Sequence, residues 1–261
     1  LGASVSFAGK VGMDDFGKKV LLDLQKAGVS TELIIRDQDR KTGITVALNR
    51  GEDRAMITYP GAMEAFSANE ITNDKLQEAD HLHVSSVFLQ PEIRKNLHDL
   101  LKRAKASGLT TSLDPQWDPN EEWDLDLESL MQHLDLFLPN EQEFRYLTGS
   151  YEIEVAARQL PGECIIVVKQ GNRGATLFHW GEKIYRQAYT NPEPADAIGA
   201  GDSFDAGFIF RYIRDAPLEE CLGFGNLVGA VSTTAAGGTA AIQSLSQVEE
   251  VGKQQFDYDP K

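Results

Sequence analysis

The chain has 261 residues, 41% of them hydrophobic, enough to bury one substantial core with at most a small appendage. Its 40 acidic and 25 basic residues give a formal charge of −15, which excludes the Lys- and Arg-rich surface that a nucleic-acid partner needs. No run reaches about 18 apolar residues and no basic-then-apolar leader opens the chain, so neither a membrane span nor a secretion signal is expected and the cytoplasm is the default.

Residues 5–8 form a short apolar, strand-like run, and 16–27 have helical spacing. Residues 42–49 and 55–59 both alternate as strands do, separated by the polar, glycine-containing turn 50–54, a hairpin signal. This hairpin is expected to leave the main sheet as a flap, with residues 60–63 as its return; an ordinary edge hairpin is the alternative. Short apolar runs at 82–87, 110–113, 136–138 and 165–168 then alternate with amphipathic stretches such as 93–106. That alternation predicts an α/β layered fold around a mostly parallel central sheet.

Ligands on such sheets gather at the carboxyl ends of the strands, here near Asp114, Asn140 and Gly171. Ser85 and Ser86 end a strand at the same edge, where serine is also common for reasons of turn chemistry. His81 and His83 stand at a strand start with period two, and no triad or metal cluster emerges from the five histidines. Trp117 and Trp123 lie in an acidic, proline-containing loop and are expected to pack beneath it. Cys164 and Cys221 are far apart without metal spacing and read as neutral thiols.

Residues 196–209 read Asp-Ala-Ile-Gly-Ala-Gly-Asp-Ser-Phe-Asp-Ala-Gly-Phe-Ile. Gly199, Ala200 and Gly201 lack bulk and can turn tightly while aiming successive amide hydrogens at one point, a concavity that binds anions. Phe204, Phe208, Ile209 and Tyr212 near helical spacing predict a helix whose positive end adds to those amides. Asp202 sets a carboxylate where anions collect, which hinders phosphate storage but suits removal of a proton from an attacking hydroxyl. The same tetrapeptide also fits an aspartate cap after a glycine turn, and both readings stand at this point.

Asn140 and Glu143, three apart, either turn together toward hydrated magnesium or form a capping box that needs no metal. Lys169, Gly171 and Gly174 lie on a strand-to-turn passage, where glycine permits close backbone approach and lysine can pair with phosphate. No Walker A sequence occurs.

These segments resemble the PfkB, or ribokinase-like, family of carbohydrate kinases, whose second signature has the form D-T-x-G-A-G-D followed by x-F-x-A-G-F. Only Ala197 departs, where threonine is usual. Gly9-Lys10-Val11-Gly12 with Asp14, Phe16 and Gly17 is similar to the family's early G-K-V-G-x-D-x-F-G segment. The run from Pro139 to Glu143 is similar to its N-x-x-E motif, and the run from Val167 to Ala175 resembles its strand and phosphate-side glycine turn. The elements occur in the family's order along nearly the whole chain.

The resemblance implies a ribokinase-like three-layer α/β sandwich with a mostly parallel central sheet and a small β lid. The division it implies is a core of residues 1–32 and 63–261 and a partial β-hairpin lid of 33–62. It implies ATP-dependent phosphorylation of a hydroxyl of a small sugar, of the ribokinase, fructokinase or 2-keto-3-deoxygluconate kinase type. Asp202 would be the general base, and the amides of Gly199, Ala200, Gly201 and Asp202 the anion hole. ATP and Mg2+ are implied, with Glu143 on the magnesium through water and Asn140, Lys169, Gly171, Gly174 and Asn226 on the nucleotide side. Asp196 and the carbonyls of Ile198, Ala235 and Gly237 would hold a potassium-like ion.

A sugar as small-molecule partner and a homodimer through the lid follow from the same resemblance. Met63 stands where the family often has asparagine, which weakens a direct sugar contact there. Family members also carry a leading segment with a sugar-contacting aspartate and a G-G-x-x-x-N loop, which is expected to be missing ahead of Leu1. Two alternatives are carried: a nucleoside kinase of the same family, and a non-catalytic sugar- or nucleotide-binding protein, against which Asp202 argues. A Rossmann-type oxidoreductase is set aside, because Gly9 to Gly17 does not have the G-x-G-x-x-G spacing.

Overall fold

The computed structural model describes residues 1–50 and 53–259. Two parallel strands open it, β1 (Gly9–Gly12) and β2 (Ile34–Asp37), with α1 (Asp15–Lys26) as the crossover. Asp14 starts α1: its Oδ1 accepts from Gly17 N at 2.9 Å, a cap at the positive end of the helix. The strand expected at 5–8 is absent, since only Ser6 makes a bridge, to Ser30, while Val5 and Phe7 remain 47% and 46% exposed. The strand instead uses Gly12, which passes the neighbouring chain so closely that a Cβ would lie 2.6 Å from Arg40 O.

Because Ile34–Asp37 pairs with β1, the lid boundary expected at residue 33 falls inside this first unit. The flap itself is the antiparallel pair β3 (Ile44–Arg50) and β4 (Asp53–Tyr59). The turn expected at 50–54 includes Gly51 and Glu52, which lie outside the described residues. At the root of the hairpin a Cβ on Gly43 would come within 2.4 Å of Pro60 O, and one on Gly61 within 2.3 Å of Lys41 O. Register puts Val46 opposite Ile57 and Ile44 opposite Tyr59, so an apolar row lies on one face. Val46, Leu48, Ile57 and Tyr59 of that row are each at least half exposed.

After the short helix α2 (Asn73–Leu76), the chain enters the central sheet with β5 (His81–Ser85). The helix expected over 93–106 is two helices, α3 (Pro91–Lys95) and α4 (Leu97–Ala106). They are broken at Asn96, whose backbone leaves the helical region at φ −121°, ψ 19°. Then come β6 (Thr110–Asp114), α5 (Leu127–Met131), β7 (Leu136–Phe137), α6 (Glu141–Thr148), α7 (Ile153–Gln159) and β8 (Ile165–Lys169). β9 (Ala175–His179) and β10 (Glu182–Arg186) turn back antiparallel, and α8 (Ala200–Tyr212), α9 (Leu218–Ser232) and α10 (Leu245–Gln255) finish the chain. The sheet order is β10-β9-β8-β7-β6-β5, with β5 to β8 mutually parallel.

Alternation along the strands divides the apolar side chains between two faces. Leu113, Phe137, Ile166 and Val168 join Leu101, Leu130, Phe144 and Ala156 from α4, α5, α6 and α7. Leu136, Leu138, Ile165 and Val167 face the other way, against Phe204, Phe208 and Leu222 of α8 and α9. Both neighbours in β7, Leu136 and Phe137, are fully buried in opposite cores. A further cluster ties Leu227 and Val231 of α9 to Val248 of α10. The molecule is thus a helix–sheet–helix stack, and among the described residues no helix is long and apolar enough to cross a membrane. Both cysteines are buried thiols.

Candidate active site

The carboxyl ends of β5 to β8 form one edge, and the start of α8 meets it there. Gly199 caps α8 in the left-handed region at φ 72°, and the first helical bond runs from Ser203 N to Gly199 O at 2.8 Å. The amides of Gly201 and Asp202 precede that bond and have no acceptor inside the helix. Ala200 N makes a long turn contact with Ala197 O at 3.3 Å, so the donors that remain are fewer than the four expected.

Asp202 is the third residue of α8 and exposed at the rim. Its Oδ1 accepts from Gln116 Nε2 at 2.6 Å. The carboxyl titrates above its ordinary range, chiefly because surrounding protein strips away part of its water and also because the Asp114 charge opposes a second one. Lys169 and the Gln116 hydrogen bond act in the opposite direction.

Lys169, expected on the nucleotide side, is held by acids in this structure. Its Nζ donates to Asp114 Oδ2 at 2.8 Å and to both oxygens of Asp205 at 3.1 and 3.0 Å, and each aspartate is only 2% exposed. Two acids at the end of β6 and on α8 must be compensated when buried, and the lysine that ends β8 does so. Burial raises Asp205 well above the ordinary range, and Lys169 acts against that shift. Burial also opposes charge on Asp114 and Lys169, but their mutual attraction outweighs it and both stay ionised. Gly201 lies above this trio, where a Cβ would be 3.7 Å from Lys169 Nζ.

At the start of α6 both halves of the capping box are present: Glu143 N donates to Asn140 Oδ1 at 2.9 Å and Asn140 N to Glu143 Oε2 at 2.8 Å. Glu143 is 5% exposed, and burial, with Asp114 second, pushes its carboxyl up to about 7. A bridge from Asn140 to Lys169 extends the β7–β8 pairing to this point and holds the two motifs side by side.

Gly171, at φ 58°, has open space where a Cβ would stand. Gly174 does not share that role: at φ 108° its Cβ would lie 2.1 Å from Arg186 O, so this glycine serves the passage of the chain leaving β10. Asn226, expected on the nucleotide side, is engaged within the fold. Its Nδ2 donates to Arg186 O at 3.1 Å and Gln187 O at 3.3 Å, fastening α9 to that same exit.

Asp196 joins the turn before α8 to a second loop, accepting from Ile198 N at 2.9 Å and from Gly237 N at 3.2 Å. A Cβ on Gly238 would lie 3.1 Å from Ile198 O, and Gly237 O already accepts from Thr239 N at 2.8 Å. Ala235 lies on the same loop. Among the described residues no group of three or more His, Cys, Asp or Glu is arranged to hold a metal ion.

Asp205, Gln116 and Ser86 are site residues that sequence reasoning missed or set aside. Ser86 Oγ donates to Gln116 Oε1, and both residues hold the left-handed backbone at φ 57°, uncommon outside glycine. Trp123 stacks on Tyr146 with ring centres 5.0 Å apart and meets Trp117 edge-on at 5.0 Å, so these tryptophans pack together on the loop after β6.

The polar side of β5 and β6 carries a relay. Thr110 Oγ1 donates to Asp80 O at 3.3 Å and so accepts from His81 Nδ1 at 2.8 Å. His81 Nε2 then accepts from Ser112 Oγ at 2.8 Å, which accepts from His83 Nδ1 at 2.7 Å.

A glycine turn that opens a helix, an acid at its rim and parallel strand ends beneath suit a phosphotransferase of the α/β class, and comparison with known proteins gives the family. Residues 1–245 match the pfkB family of carbohydrate kinases. A protein of Archaeoglobus fulgidus described as an uncharacterized sugar kinase is 32% identical over 237 residues, spanning 88% of this chain and 91% of that one. Probable fructokinase-7 of Arabidopsis thaliana is 28% identical over 272 residues, spanning 96% of this chain and 79% of that one. A candidate Ribokinase II of E. coli, solved in apo form and in complex with ATP and Mg2+, is 25% identical with a TM-score of 0.86. The alignment covers 97% of this chain and 84% of that one. The chain belongs to the PfkB family, has the ribokinase-like fold and is a sugar kinase.

Proposed function

We propose that the chain transfers the γ-phosphoryl group of ATP to a hydroxyl of a small neutral sugar, with Asp202 as general base. The carrying observation is the Asp202 carboxyl, raised in pKa, at the rim of a turn whose Gly201 and Asp202 amides have no helical acceptor. In the step, the sugar hydroxyl gives its proton to Asp202 while its oxygen bonds to the γ-phosphorus. The bond to the β,γ-bridging oxygen breaks, and ADP leaves. The two amides and the helix end meet charge on the equatorial oxygens, preorganised donors that cost no rearrangement as the charge develops.

Names among the relatives support a hexose such as fructose or a pentose such as ribose. Surrounding acids argue the same way: Asp114, Glu143 and Asp202 face the site together, and they repel an acceptor that is already anionic.

Glu143 fits a role toward Mg2+, since a buried carboxyl held near 7 beside two other acids is one that a nearby cation would return to its ionised form. When bound, that ion supplies neutralisation of the β- and γ-phosphate oxygens. The Ile198 carbonyl, kept open by Gly238, and Asp196 fit a monovalent ion beside the turn. The hairpin of β3 and β4 is read as the lid, and its exposed apolar face as the contact of a homodimer. ATP as donor goes with a cytoplasmic setting.

The test is ADP release measured against a panel of sugars and nucleosides with the full protein and its Asp202→Asn variant. A positioned base contributes about 10²- to 10⁴-fold, roughly 3 to 5 kcal/mol, so the variant should lose turnover to that extent while still binding ATP. Equal turnover by both proteins removes the assignment, and a response to nucleosides alone moves it to nucleoside kinase.

A further inference from the structure

We propose that Gln116, held by Ser86, is the positioning residue that fixes which oxygen of Asp202 takes the substrate proton. The inference rests on the reading of Asp202 as the base. The three side chains come from separate places: Ser86 follows β5, Gln116 follows β6 and Asp202 opens α8. An ionised carboxylate only accepts, so the Gln116 amide must present Nε2 to Asp202 Oδ1 at 2.6 Å and Oε1 to Ser86, whose hydroxyl must then donate. Amide orientation is thereby determined at both ends.

The backbone is arranged for the same purpose. Ser86 and Gln116 both occupy the left-handed region, which is unfavourable for a residue that bears a side chain. Each is tied down: Gln116 N donates to Asp114 Oδ1 at 3.2 Å, and Gln90 Nε2 donates to Ser85 O at 2.8 Å and Ser86 O at 3.4 Å. Strain at two adjoining strand ends, maintained by such ties, is what fixed delivery of a side chain requires.

With Oδ1 occupied, Oδ2 is the acceptor for the sugar hydroxyl, and the carboxylate cannot rotate to present the other edge. The amide also favours the ionised form of Asp202. The other titratable groups facing it are Asp114 and Lys169 from the strand ends, Glu143 from α6 and Asp205 one turn along α8, and none of these changes when Gln116 is replaced.

The experiment compares wild type with Gln116→Ala, Gln116→Glu and Ser86→Ala, following kcat, sugar KM, ATP affinity and the acid limb of kcat/KM against pH. Gln116→Ala should lower kcat roughly 10- to 100-fold at unchanged ATP affinity and move the acid limb to higher pH. Gln116→Glu should move it further, because two carboxyls at that separation share a proton. Ser86→Ala should move it in the same direction and by less, which checks the result in a variant that keeps the loop after β6. The proposal is overturned if the acid limbs of all three overlay the wild type, or if sugar KM alone changes, which makes Gln116 a substrate contact. Loss of the underlying reading looks different: Asp202→Asn itself would then retain turnover.

Discussion

Lys169 and Asp114 pair at 2.8 Å across the strand ends of β8 and β6, and Asp205 of α8 completes the arrangement by accepting from the same ammonium with both oxygens. Unequal sensitivity follows. Lys169→Met strands a buried Asp114 charge and should cost about 3 to 5 kcal/mol of folding free energy. Asp205→Asn keeps the shape and leaves the Lys169–Asp114 pair in place, and should cost about 1 kcal/mol. Urea unfolding of the two variants measures the difference, and equal losses would show that the Asp205 contacts matter as much as the Asp114 charge.

The two glycines after β8 should also separate. Gly171→Ala meets open space and only the left-handed backbone penalty, about 1 to 2 kcal/mol. Gly174→Ala drives a Cβ into Arg186 O and must displace the exit of β10, which should lower the melting temperature considerably more. A milder effect at Gly174 than at Gly171 would show that this passage yields easily.

Stability should fall as acid is added through the range set by His81. Burial, then His83, depresses its pKa from 6.5 to about 4. Between those values the unfolded chain binds more protons, so unfolding free energy rises with pH across the window and is lost as pH drops from 6.5 toward 4. Protonation also puts a hydrogen on Nε2 against the Ser112 hydroxyl that donates to it. Urea midpoints above pH 6.5 and at about pH 5 should differ less in His81→Asn than in wild type. An unchanged difference would mean that other groups carry the dependence.

Ile57, 62% exposed at the middle of the apolar hairpin face, is the place to test the proposed dimer. Ile57→Asp should shift sedimentation from dimer to monomer, and a wild-type protein that sediments as a monomer ends that proposal.

Strands at 110–114 and 165–169 were legible because short β-branched and apolar runs end in turn residues, and the glycine turn with Asp202 was legible because small residues leave few other uses. Residues 5–8 misled for a local reason: their alternation has the period of a strand, but Val5 and Phe7 find no core. The contacts of Lys169 stayed hidden for a distant one. A lysine before a glycine turn suits phosphate, and its actual partners lie 55 and 36 positions away, where nothing in the sequence marks them as neighbours. Gln116 carries no signal at all, since a single amide after a strand acquires meaning only when α8 brings Asp202 against it.

The shortest strand has the strictest phase. One residue inserted ahead of β7 would exchange the directions of Leu136 and Phe137, sending each toward the wrong apolar layer, and would carry Asn140 off its bridge to Lys169. Length changes are therefore far better absorbed in the outlying hairpin than in these two residues, where a single frame serves both layers and the edge that carries Asn140 and Lys169 at once.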